Sequence, residues 1–500
     1  MTIRHKVCSA FLLVLVNFLP LGPPFVTAQT RPPDGDPLPR IMQRAQAKLD
    51  QMRQTWGFPG ATVGFVLPDG RSGTVSTGLA DLATKRPLKT DDLILAGSIG
   101  KTFVAAEALT LVHEGVLDLD GKISRWVGAA PWFARLPNAN DLTLRMLLNH
   151  SSGIPNHVEY DNFLKAAMKN AGTPIQYEDL LSYVAAKKPL FAAGKGYYYA
   201  DTNYIVAALV IEKATGKTLY DEIERRFLKP LNLDHTVPST DGSLLTTVNG
   251  YYQNKPLIAH GKFMINPQWE WAGGGFASTS LDLARWGHVL YSGKVLDSDS
   301  LALMLNSTST GDGTKYGLGV ELEQTKLGKA VGHDGEWPGF LSDMKYFPDF
   351  KFAVATQVNA DDVPGANKFA SVALEDFAVL IVQELFGDHL SAAERTQFQQ
   401  LVEEWLKLID AGKFEQSWDR IAPELQTRYA RAEWKNALQP FQQQAGKYRS
   451  RKLKSIFSAN PELISVDWDS SFTKMAAVTE TVLLRRSGDG GWVIASYTLH

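Results

Sequence analysis

Three short clusters in this chain hold residue types that carry out acyl transfer. The first is Ser98-Ile99-Gly100-Lys101, where the pattern turns helical. A lysine three residues after a serine lies one turn along the same helix face, within reach of the hydroxyl. A serine in the first turn also gains from the helix dipole. Burial lowers the proton affinity of an ammonium, and a neutral amine can then take the serine proton. The spacing alone is cheap: Ser342 and Lys345 repeat it, as do Ser471 and Lys474, each where the chain reads as strand or loop. Only the first pair opens a helix.

The second cluster, Tyr199-Ala200-Asp201, sits in GKGYYYADTNYIVAALVIEKATG, a loop running into an apolar helix. It offers a tyrosine as proton carrier, although its neighbours Tyr197 and Tyr198 allow a packing role instead. The third, Gly332-His333-Asp334-Gly335, reads as a glycine-rich turn ahead of a strand-like stretch from Met344 to Val358. A serine–lysine nucleophile, a tyrosine and a strand-edge motif ahead of a glycine make a full set for acyl transfer.

The elements that must position these residues follow from periodicity. Ile41 to Trp56 carries helical spacing, and Ala61–Leu67, a Pro-Asp-Gly turn and a Thr/Val stretch to Ser76 read as a hairpin. In the helix after Ser98, Val104, Ala105, Ala108, Leu111 and Val112 share a face, and Gly115 ends it. Further helices are predicted over 204–216, 281–291 and 367–386. Gly387-Asp388-His389-Leu390 reads as a domain boundary. Beyond it Ser391 can cap a helix whose Phe398, Leu401, Val402, Trp405 and Leu408 share a face. Short helices around Trp418 and Trp434 precede strands over 451–457, 463–468, 475–485 and 492–500. Helices followed by sheet imply a small α+β unit, 391–500, that folds separately.

With these motifs in this order, the sequence resembles the serine β-lactamase and penicillin-binding-protein superfamily. It is most similar to the branch of class C β-lactamases, D,D-carboxypeptidases, D-aminopeptidases and related carboxylesterases. The resemblance runs from about Met42 to Gly387. It includes Pro59-Gly60, the stretch Gly115 to Asp120, Leu147-Leu148-Asn149-His150-Ser151-Ser152-Gly153-Ile154-Pro155, and Gly273-Gly274-Gly275 ahead of Ser278-Thr279. It implies a mixed α/β (α+β) fold: an antiparallel sheet flanked by helices, with an all-helical subdomain, over 41–387. The C-terminal unit resembles a small NTF2-like domain of unknown function, a cone of helices against a curved sheet.

By the same resemblance Ser98 would be the nucleophile, Lys101 its activator and Tyr199 the proton shuttle to the leaving group. The backbone N–H groups of Ser98 and Glu336 would form the oxyanion hole beside Gly335. His333 would stand where a lysine is common, anchoring substrate and tuning the tyrosine. Asp201 stands where an asparagine is common, so an amide donor becomes a carboxylate that cannot donate when ionised. Both departures point to an esterase or D-peptidase more than to an efficient β-lactamase. No cofactor and no metal are implied, and the expected partner is a small-molecule or peptide substrate.

Length and composition set the remaining bounds. Five hundred residues exceed one compact core, so two domains are expected. Arg4, His5 and Lys6, an apolar run from Ala10 to Leu21 and Val26-Thr27-Ala28 read as a signal peptide over 1–28, with a proline-rich linker over 29–40. No later segment is apolar enough to span a bilayer, which makes a periplasmic or secreted protein the expectation. Cys8 is the single cysteine and lies inside that signal, which excludes disulfides and cysteine-ligated zinc from the mature chain. With 51 basic against 53 acidic residues and no basic stripe, a nucleic-acid partner is not expected. Asp118 to Gly121 departs from a calcium loop in its glycine position, and His157 has no partner histidine at ligand spacing. Ala96 to Gly100 also fits an α/β-hydrolase nucleophile elbow, but no parallel-strand series surrounds it. The reading from another class is a catalytically inactive scaffold that works through its C-terminal unit. The intact Ser98, Lys101 and Tyr199 speak against it.

Overall fold

The computed structural model describes residues 35–169, 175–239, 248–259, 262–311, 314–386, 390–460, 462–488 and 490–499. The signal segment and residues 387–389 of the boundary lie outside them. The first helix spans Pro37–Trp56, starting earlier than expected because Asp36 caps it and Pro37 fits its first turn. The predicted hairpin forms as strands Gly60–Val66 and Ser72–Asp81. It joins a sheet of nine described strands, all antiparallel, in which Gly60–Val66 pairs with Phe352–Val358 and successive neighbours are Phe340–Phe347, Gly328–Trp337 and Glu321–Thr325.

Two expectations change here. Met344 to Val358 is not one strand but parts of two, Phe340–Phe347 and Phe352–Val358, joined through a turn. His333-Asp334-Gly335 lies within the strand Gly328–Trp337 rather than in a turn. Its glycines mimic a turn in the sequence, but Gly335 serves close backbone approach instead.

The strand Phe352–Val358 is buried at every residue, as expected of a strand covered on both faces. Phe352, Val354 and Val358 pack with the first helix and with Pro364–Phe386, while Ala353 and Ala355 face the other core, which holds Ser280–Tyr291 and the helical subdomain. Helix Gly100–His113 belongs to that second core. It is buried almost all round rather than on one face, with only Thr110, Val112 and His113 reaching solvent to any extent. Helix Asp201–Thr215 is likewise buried from Asp201 through Ile211. These two helices bring the first two motifs together at the sheet edge.

The C-terminal unit has a core of its own, built by Ala392–Asp410, Trp434–Ala445 and a four-stranded antiparallel sheet. Ser391 and Glu394 form the full capping box. The sheet alternates between two cores: Ile456, Ile464, Val482 and Ile494 face inward, while Phe457, Leu463, Leu483 and Ala495 join the cluster of the first helix and Pro364–Phe386. Among these apolar contacts Lys326 Nζ donates to Asp467 Oδ2 at 3.1 Å, with Glu375 3.7 Å away. Asp467 also accepts from Ser455, Ser465 and Thr481, and against its burial the charge of Lys326, helped by Thr481 and Ser455, holds its carboxyl below the usual range.

Removing one partner of a buried ion pair leaves the other charge stranded and costs about 3–5 kcal/mol. Asp467→Ala is therefore expected to lower unfolding stability by about 3 kcal/mol, read as the denaturant midpoint, with hydrolysis of a small ester retained. A shift within about 0.5 kcal/mol would show the pair to be no more than a surface contact.

Candidate active site

Gly97–Ile99 form a turn of 3₁₀ helix that runs directly into Gly100–His113. Gly97 has φ +58°, a conformation that favours glycine, and this turns Ser98 toward the sheet edge. Lys101 is completely buried. Its Nζ lies 2.9 Å from Ser98 Oγ and 2.6 Å from Asp201 Oδ1, and it also donates to the carbonyl of Gly273. The other serine–lysine spacings bring nothing comparable together. Lys345 pairs with Glu321 and Glu323 at 2.7 and 2.9 Å, and Lys474 donates to the carbonyl of Gln443. Asp120, from the calcium-loop look-alike, is held by Arg145 through two hydrogen bonds.

Tyr199 lies beside this pair. Its ring centroid is 4.8 Å from Lys101 Nζ. Burial, reinforced by the charge of Asp201, pushes the phenol well above its ordinary value, so it rests protonated. Asp201 opens the helix Asp201–Thr215 and turns its carboxylate onto Lys101 rather than into an open cleft. The expected substrate-binding residue is thus already engaged by the lysine.

The third motif lines the other side. Pairing with Glu321–Thr325 ends at Glu321 opposite Gly332, so His333 to Trp337 pair in the sheet on one side only. The turn Gly97–Ile99 packs against them. A Cβ on Gly335 would come within 2.0 Å of the Ala96 carbonyl oxygen and 3.3 Å of Ser98 N, so only glycine allows this approach. From the other side, a Cβ on Gly97 would lie 2.7 Å from Glu336 N. The backbones of Gly97–Ser98 and Gly335–Glu336 therefore lie in close approach. Burial and the nearby Asp361 and Asp362 push the Glu336 carboxyl up to about 8.

His333 sits differently from expectation. It is fully buried, with Nδ1 2.6 Å from the Asp334 carbonyl and Nε2 2.8 Å from Tyr316 Oη. A carbonyl can only accept, so Nδ1 carries the proton and Tyr316 donates to Nε2. Burial lowers its pKa to about 4, so at neutral pH it is uncharged. It meets Tyr199 ring to ring at 6.1 Å and has no ring nitrogen left for a substrate. Glu321, His333 and Asp334 bring ligand atoms within 4.8 Å of one another, but the His333 nitrogens are engaged as described and Glu321 is bound to Lys345.

Three site neighbours escaped the sequence reading: Tyr316, His150 and Glu270. Glu270 is buried next to the Gly97–Ile99 turn, its carboxyl and the Gly97 backbone flanking Gly274. Burial raises its pKa from 4.5 to about 8, with Lys101 pulling it down and Asp201 pushing it up. The folded chain thus keeps a proton that the unfolded chain loses between pH 4.5 and about 8. Stability from this group is complete at low pH and is lost as pH rises through that window. Glu270→Gln is expected to flatten the decline in unfolding stability across it, measured by denaturant titration at a series of pH values. An unchanged slope would contradict the assignment.

A serine against a buried lysine, on a helix set between an antiparallel sheet and a helical subdomain, defines a serine–lysine architecture. The Beta-lactamase family profile matches residues 45–376, and the chain belongs to that family. Residues 401–497 match a second family, a protein of unknown function, DUF4019. Penicillin-binding protein 4* of Bacillus subtilis (strain 168) is 25% identical over 296 residues, covering 55% of this chain and 62% of that protein. A D-aminopeptidase of Brucella anthropi is 24% identical over 336 residues, covering 65% and 60%. The matches therefore span about three-fifths of these curated relatives. Among solved structures, a D-stereospecific amidohydrolase from Streptomyces sp. superposes with TM-score 0.59 at 27% identity, covering 67% of this chain and 98% of its own. A D-amino acid amidase from Ochrobactrum anthropi SV3, complexed with D-phenylalanine, shares the fold at TM-score 0.58 and 23% identity, covering 69% and 98%.

Proposed function

We propose that this chain is an exported serine hydrolase that cleaves amide or ester bonds through an acyl-enzyme on Ser98. The observation that carries this reading is the 2.9 Å contact between Ser98 Oγ and the buried Lys101 Nζ. Two of the lysine's positions are fixed on Asp201 and on the Gly273 carbonyl, so the remaining one faces the serine. Once it has given up one proton, Lys101 presents its lone pair there and takes the hydroxyl proton while Oγ attacks the acyl carbon. The amides of Ser98 and Glu336 hold the developing oxyanion. Tyr199, protonated at rest, gives its proton to the leaving amine or alkoxide and recovers one from Lys101. Water then enters by the same path in reverse and releases the acid. Export rests on the signal pattern of residues 1–28; no described helix is long and apolar enough to cross a membrane.

The substrate class follows from what the site lacks. Asp201 is engaged by Lys101, and His333 is neutral, so neither supplies the amide donor or fixed cation that suits a β-lactam. The D-aminopeptidase and D-stereospecific amidohydrolase among the similar proteins support short D-amino-acid amides and peptides, with small esters alongside. Purified protein is expected to show higher kcat/KM for a D-amino-acid amide or an ester than for any penicillin or cephalosporin. A β-lactam leading that panel would reverse the substrate assignment.

A further inference from the structure

We propose that His150 is a positioning residue that fixes Tyr199 over Ser98 and Lys101, a role that rests on the hydrolase reading above. His150 belongs to the Asn149-His150-Ser151 stretch, remote in sequence from all three motifs. Its main chain and its ring bracket the tyrosine. The His150 carbonyl accepts the Tyr198 N–H at 3.0 Å, and Nδ1 accepts the Ala200 N–H at 3.2 Å. Both peptide neighbours of Tyr199 are thereby tied to one residue. The imidazole also lies against the Tyr199 ring, with centroids 4.3 Å apart and planes tilted by 38°.

The same ring reaches the rest of the aromatic nest, with Tyr316 at 4.8 Å and Tyr204 at 5.4 Å. The Asn203 amide comes within 3.1 Å of Nδ1 from the helix that carries Asp201. Because the Ala200 N–H can only donate, Nδ1 must be the bare nitrogen, and the neutral ring carries its proton on Nε2. Burial, with Lys101 nearby, favours this uncharged form. Nε2 is buried without a hydrogen-bond partner among the described residues. His150 itself holds φ +61°, an uncommon conformation for a residue other than glycine, which asparagine and histidine tolerate better than most. A histidine kept in a left-handed conformation, with one ring nitrogen unpartnered, is a costly way to fill a core. Its geometry is better explained by the clamp on Tyr199.

Two replacements separate the parts of this clamp. His150→Phe keeps a ring but removes the acceptor for Ala200. His150→Asn keeps an acceptor and tolerates positive φ but removes the ring. His150→Phe is expected to lower kcat roughly 100-fold, within the range for a lost acid–base contribution, with KM changed less than about threefold. His150→Asn should retain roughly tenfold more turnover than His150→Phe, because its carbonyl can still accept from Ala200. In a Tyr199→Phe background His150→Phe should cost less than about threefold more, since residues acting as a unit are not additive. Full multiplication of the two losses, an unchanged kcat in His150→Phe, or equal damage in His150→Asn would overturn the role. If His150→Phe fails to fold by circular dichroism, His150→Asn alone and in the Tyr199→Phe background gives the same comparison. Failure of the hydrolase reading looks different: the unaltered chain would then neither turn over substrate nor take a covalent label at Ser98, and the role of His150 would fall with it.

Discussion

Ser98→Ala is expected to abolish turnover of every amide and ester substrate, with kcat reduced by roughly 10⁴-fold or more. The loss should be this large because, among the described residues, this is the serine hydroxyl that Lys101 contacts. Residual hydrolysis would come from the oxyanion space and substrate binding alone. Stability should scarcely change: Ser98 is only partly buried, and alanine fits the first helical turn. Ser342→Ala and Ser471→Ala should spare activity, since their lysines are engaged elsewhere. Turnover by Ser98→Ala within tenfold of the parent would contradict the acyl-enzyme assignment.

Lys101→Met should be nearly as damaging, with kcat lowered roughly 10³-fold through loss of the proton acceptor. It differs from Ser98→Ala in also lowering stability. Methionine fills the volume but leaves the Asp201 carboxylate, only 6% exposed, without the cation 2.6 Å away. Stranding one member of such a pair costs about 3 kcal/mol. Lys101→Met combined with Asp201→Asn should restore most of that stability and none of the turnover. Stability is read from denaturant midpoints and activity from ester hydrolysis. Activity returning together with stability would show that Lys101 serves the fold rather than the chemistry.

The parts of the site that lie close in sequence were the legible parts. Ser98 and Lys101 are one helical turn apart, so their contact follows from local geometry. Tyr199 and the third motif could be found only by pattern, because their approach to Ser98 depends on two helices buried on almost every side and on a strand edge. Neither of those helices shows an apolar face against a polar one, and the single-face reading of Gly100–His113 accordingly fell short. Glu270 gave no signal of function, and His150 stood only within a stretch shared with the resembling family, with no role attached. Each acquires its role only when the chain brings Tyr199 or Lys101 against it.

The glycines of the third motif were misread for a physical reason. Glycine marks both turns and places where two backbones meet, and Gly335 is the second case. The contact between the two units was likewise hidden. The strand Leu463–Phe472 presents Ser465 and Asp467 on one face. That face covers Lys326, with Leu463 beside it in the apolar cluster of the first unit. The C-terminal core was readable because its helix Ala392–Asp410 carries an ordinary amphipathic repeat and a capping box.

The measurement that bears most directly on the central claim is the site of covalent modification by a serine-directed phosphonate. Such a reagent needs an activated hydroxyl, and its adduct survives digestion for peptide mass spectrometry. One phosphonyl group per chain is expected, on the peptide containing Ser98, with no labelling of Ser98→Ala. Stoichiometric label on any other residue, or none in a chain that still hydrolyses its substrate, would contradict the account.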